Sequence, residues 1–159
     1  MNYGTVKSRI CASLLAVVVG WATSMAVTLP MQVYQIVTND LGGRRSLLWS
    51  LGAGILVWLG WTLMIAAGGW LFACLPAIVF FREEWLLRHR SLIVAGSAVL
   101  ALTVVIIEMR TWRMFLPEFD FHPWAFFLYT LLLMVFAIVT AAVYLRLAAA
   151  RAAAAALDR

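Results

Sequence analysis

Charge is what this sequence has least of. Only 12% of its 159 residues are Asp, Glu, Lys or Arg, while 65% are hydrophobic. Soluble domains carry roughly 25% charged and 45–50% apolar residues. So few charges cannot cover a globule of this size with polar surface, which excludes an ordinary water-soluble domain. Lysine is nearly missing: the cations are eleven arginines and Lys7, giving a net charge of +5. They form no basic run, so nothing marks a nucleic-acid face and no nucleic acid is expected as partner. There are two cysteines, Cys11 and Cys74. Both sit in apolar runs, and with no C-x-x-C a thiol redox pair and a zinc knuckle are excluded. HExxH, phosphate-loop and nucleophile-elbow patterns are lacking too. No cofactor is therefore expected, and the reading leans away from an enzyme. The middle of each apolar run also lacks an acid, which argues against a proton-coupled exporter; Glu108, at the outer end of the third run, comes nearest.

What is present are long apolar runs. Uncharged stretches cover 10–39, 46–81, 91–107 and 121–145, and about 20 such residues cross the hydrocarbon core as a helix. The chain reads as an all-α integral membrane protein, a bundle of four transmembrane helices. The spans fall at about 10–30, 50–72, 91–109 and 122–145, in one domain over 1–147. An alanine-rich, strongly helix-forming tail, 148–159, follows and reads as a solvated end. Pro30 is expected to kink or end the first helix. The second run would make a helix of about 54 Å, too long for a bilayer, so it must tilt, break or leave early. Its weak points are Gly68-Gly69 and Pro76. Trp49 and Trp70, about 31 Å apart on a helix, read as anchors at the two interfaces.

Orientation follows from the flanking cations. Lys7, Arg9, Arg82, Arg88, Arg90, Arg146, Arg151 and Arg159 lie on one side; Arg44, Arg45, Arg110 and Arg113 lie on the other. The richer side is read as cytoplasm, which places both termini inside. With an Ala/Arg-rich, Lys-poor composition, the expected location is a bacterial inner (cytoplasmic) membrane. Residues 1–26 also carry a signal-peptide-like pattern, with small residues at Ala22, Ser24 and Ala26; cleavage there would leave three spans. Four spans is the reading preferred.

Few polar residues offer a function. Thr28, Gln32, Gln35 and Asn39 recur at helical spacing, so they share a face of the first helix. They make either a polar wall of an outward-open cavity, completed by Glu108, Arg110 and Arg113, or simply the wet face of an interfacial segment. Gly52, Gly60 and Gly68 recur every eight residues on the second helix, a helix-packing face for another copy or for the chain's own helices. In LPEFDFHPW, Glu118, Asp120 and His122 alternate with phenylalanines, and an extended backbone would put all three on one side. That set could hold a metal ion, but with no fourth ligand a loop lying on the interface explains it better. In REEWLLRHR, Glu84 and Arg88 are spaced for a helix-surface pair.

Three functions are compatible with these residues. The first is a small membrane protein acting through helix packing, as accessory subunit, assembly factor or homo-oligomer, with the lipid bilayer and other subunits or itself as partners. The second is an outward-open carrier or binding protein for a small or lipidic ligand. The third is an enzyme or metal site in the 3–4 loop. The first is the leading expectation.

Overall fold

A computed structural model describes residues 3–40, 47–115 and 123–157, nearly all of them helical. The elements are α1 (Tyr3–Asp40), α2 (Leu47–Gly69), a π turn (Trp70–Cys74), α3 (Leu75–Phe80), α4 (Glu83–Arg88), α5 (Arg90–Phe115) and α6 (Pro123–Leu157). Four helical stretches are long and apolar enough to cross a membrane: Val6–Thr38, Leu51–Phe80, Arg90–Thr111 and Phe126–Leu157. They point to a multi-pass membrane protein.

Pro30 does not end the first helix. α1 runs through it for 38 residues, about 57 Å. Proline removes one hydrogen bond, to the Ala26 carbonyl, and such a loss is tolerated where neighbouring helices hold the segment. Here α6 lies along α1 over a long stretch, the most extensive helix pairing in the fold.

The overlong second run is accommodated just past its paired glycines. The Leu75 N–H reaches back to the Trp70 carbonyl, five residues away, so the helix widens for one turn. Pro76 follows in the first turn of α3. Its ring would clash with the Phe72 carbonyl of a regular α turn; widening the turn around Phe72 relieves that clash. Phe81 and Arg82 are then extended, which ends the apolar run.

α1 and α6 are the central antiparallel pair, with α2 leaning on α1 and α5 on α6. Indole donors stitch α2 to α1. Trp21 Nε1 donates to Thr62 Oγ1 at 3.2 Å, and Trp70 Nε1 to Ser13 Oγ at 3.0 Å. Trp70 is therefore a packing residue on α1, half-buried beside Val17 and Phe136, whereas Trp49 is exposed. Two buried hydroxyls of α1 are satisfied within their own helix. Thr28 donates to the Ser24 carbonyl and Ser24 to that of Trp21, each at 2.8 Å, as an apolar surrounding requires. Trp70→Phe removes the N–H but keeps most of the ring. We expect it to cost about 0.5–1.5 kcal/mol, read as a fall of about 2–4 °C in melting temperature per kcal/mol lost in detergent; an unchanged melt would show that this bond does not hold α2.

The end of the molecule that carries both termini is clamped by arginines. Arg9, 7% exposed, donates from Nη2 to the Phe81 carbonyl at 2.7 Å. Arg151 pairs with Glu83 of α4 and also donates to the Ser8 carbonyl at 3.4 Å. Ala148 is fully buried, so α6 is engaged up to Arg151 and free only beyond. Glu84 meets Arg82 at 3.4 Å, both highly exposed, in place of the expected Arg88.

Candidate functional site

The helices do not close on one another all round. Met25, Ala101, Val105, Leu132 and Leu133 form the shared core, with Trp58, Leu59 and Ile65 of α2 packed against it. Elsewhere α2 with α3 and α5 stand apart, and α6 forms the floor between them. The result is a cleft of about 700 Å³. Met64 and Phe72 stand on one wall, Leu100 and Val104 on the other, and Leu133 and Ala137 on the floor. Along α6 the lining runs from Tyr129 to Leu145, a rise of about 24 Å, against a hydrocarbon core of about 30 Å.

Each end of this apolar channel carries polar atoms. At the end away from the termini, the Tyr129 hydroxyl donates to Glu108 Oε2. Both residues line the cleft. The two ion pairs among the described residues are Arg82–Glu84 and Arg151–Glu83, so Glu108 has no cation beside it there. Arg110 is two positions further along α5, about 200° around the helix, and is exposed. At the other end the Tyr144 hydroxyl is buried with no hydrogen-bond partner among the described residues. Its ring lies 5.9 Å from the Arg151 guanidinium carbon. α4 and α3 bound this end through Leu86 and Ile78.

Thr140, 5% exposed, also borders the cleft, but its hydroxyl faces α1. A Cβ built on Gly20 would lie 2.1 Å from Thr140 Oγ1 and 3.0 Å from the Phe136 carbonyl oxygen. Gly20 is thus a point of close approach between α1 and α6, and the Thr140 hydroxyl, without a partner among the described residues, rests over its Cα.

The residues singled out in the sequence are dispersed. Glu108 is on the cleft. Gln32 and Gln35 are half-buried on α1 and do not line it. Neither glutamine is the partner of Glu108; Tyr129 is. The side chains of Asn39 and Arg113 lie outside the described set, as do Glu118, Asp120 and His122 altogether. Among the described residues no three His, Cys, Asp or Glu side chains come together. A Cβ at Gly52, Gly60 or Gly68 meets nothing within 4 Å. Among the described residues these glycines thus have no neighbour on their open side, and Gly68 borders the cleft.

Tyr129 and Gly20 are the residues that sequence reasoning passed over. A signal existed for Tyr129. Folding the chain back about residue 119 brings Glu108 level with residues 129 and 130. Nothing comparable pointed to Gly20, whose role depends on which helix lies against α1. No family model, curated protein or solved structure matches this chain.

Proposed function

We propose that this protein holds an apolar, membrane-resident ligand in the cleft between α2 and α5. The observation that carries this reading is the size of the cleft. The cleft offers about 700 Å³. That is room for a narrow chain, within the 300–1,000 Å³ usual for ligand pockets. A bilayer provides such chains at high local concentration.

The setting we propose is a bacterial inner membrane, with both termini and the Arg9–Arg151 clamp on the cytoplasmic side. The excess of arginine at that end supports this orientation. The Glu108–Tyr129 end then lies toward the outer face.

A second reading is favoured by a different surface. Gly52 and Gly60 face open space, and Leu56, Val57 and Leu63 on the same helix are strongly exposed. Small residues on a lipid-facing helix allow close approach of another helix, so α2 is the face on which an accessory subunit or second copy would pack.

Native mass spectrometry of the full chain, released from native-membrane nanodiscs, separates the two. The ligand reading predicts a monomer carrying one small molecule of lipid mass, lost in Gly68→Phe, at a position that borders the cleft and where an added Cβ meets nothing within 4 Å. A stoichiometric protein chain in place of that molecule, lost in Gly60→Leu, would instead establish the packing reading.

A further inference from the structure

We infer that the ligand is a long-chain membrane alcohol whose hydroxyl sits on Glu108 at the outer end of the cleft. This rests on the ligand reading above and adds the chemistry of the head group. Three observations carry it. First, the walls are apolar over a length of about 24 Å on α6, so most of the occupant is hydrocarbon. Second, the polar atoms at the outer end are a carboxyl group and the phenol that donates to it. A carboxylate offers about four acceptor sites; the phenol occupies one, and the others are left for a donor. Third, Glu108 has no cation within ion-pair distance among the described residues.

These facts sort head groups by charge. A phosphate or a fatty acid carboxylate beside Glu108 would place two anions together with no cation between them among the described residues, in a medium where charge interactions are poorly screened. An ammonium would be attracted, but both charges must then lose their hydration for one contact. A hydroxyl donates one hydrogen bond and loses much less on leaving water. Polyprenols, quinols and monoacylglycerols share this chemistry: an uncharged hydroxyl on a long apolar body.

The test uses the full-length protein in nanodiscs of one phospholipid. The probe is hexadecanol carrying a diazirine near its tail, with labelled peptides located by mass spectrometry. We expect labelling around the π turn and the facing part of α6. Unlabelled hexadecanol should compete about tenfold better than hexadecanoic acid, a difference of about 1.4 kcal/mol. Glu108→Leu should remove that preference, and Glu108→Gln, which keeps an acceptor oxygen, should retain alcohol binding. Gly68→Phe should abolish labelling; circular dichroism melting verifies that it remains folded. Labelling that survives Gly68→Phe would overturn the cleft reading itself. Labelling that Gly68→Phe abolishes, with acid and alcohol competing equally or with a preference that Glu108→Leu leaves intact, would overturn the head-group assignment alone.

Discussion

Gly20→Leu yields no stably folded protein, and Gly20→Ala lowers the melting temperature where alanine at Gly52 or Gly60 does not. The asymmetry comes from what surrounds each position. At Gly20 a methyl group would meet the Thr140 hydroxyl and, 3.0 Å away, the carbonyl oxygen of Phe136. The hydroxyl can turn aside; the carbonyl is part of α6 and moves only if the helix does. Forcing added volume into such a contact costs about 1–3 kcal/mol, here concentrated on the pairing that organises the fold. At Gly52 and Gly60 the same methyl meets nothing within 4 Å, and alanine is the better helix former by about 1 kcal/mol. Thermal melts of the monomer in detergent decide the matter. Adding Thr140→Ala to Gly20→Ala should recover part of the loss, since the two side chains share one space and their effects are then not additive. Gly20→Ala melting like wild type would mean that α1 and α6 are further apart than described.

Arg151→Met is expected to destabilise the protein by about 1–3 kcal/mol, and Arg9→Met by a similar amount, while Arg82→Met changes nothing measurable. All three are arginines at the same end of the molecule, so the contrast is one of burial. The Arg151 and Glu83 side chains are 26% and 27% exposed, and Arg151→Met leaves the Glu83 carboxylate without its cation in a poorly hydrated place. Arg9 is nearly buried, and its guanidinium caps the last carbonyls of the α3 region at Phe81. Arg82 and Glu84 are 83% and 84% exposed, where water screens the pair. Glu83→Gln in the Arg151→Met background should restore part of the stability, because the stranded charge is gone. Equal losses for Arg151→Met and Arg82→Met would contradict the clamp.

The four long helices were legible because a bilayer imposes a length and an apolar composition that any window of sequence displays. The trouble in the second run was legible for the same reason: the run exceeds a bilayer, and the turn widens immediately after Gly68-Gly69. The passage of α1 through Pro30 was not. A proline states its local cost, whereas the compensating contacts come from α6, more than ninety residues away in sequence. The cleft was hidden for a related reason. Helix-period patterns identify apolar faces, but lipid and protein are equally apolar, so sequence cannot say which face is covered. Gly68 shows the difficulty: its spacing marks a packing face, for another copy or for the chain's own helices, and in the single chain it borders the cleft. Gly20, with no periodic companions, carries a close contact with α6. Glu108 stands out in the sequence as the acid nearest a span centre, yet its partner Tyr129 emerges only when α5 and α6 lie side by side.

The claim on which the functional reading stands is that α2 and α5 stay apart. Disulfide trapping across the cleft tests it most directly. Cysteines at Gly68 and Leu100, which both line it, would be introduced into a chain with Cys11 and Cys74 replaced by alanine. A disulfide needs the two Cα atoms within about 7 Å. The structure predicts no disulfide under mild oxidation, but ready bridging by a bifunctional thiol reagent long enough to span the cleft. Rapid formation of the direct disulfide in the membrane would show that the two helices pack together, and that no cleft is there for a ligand to fill.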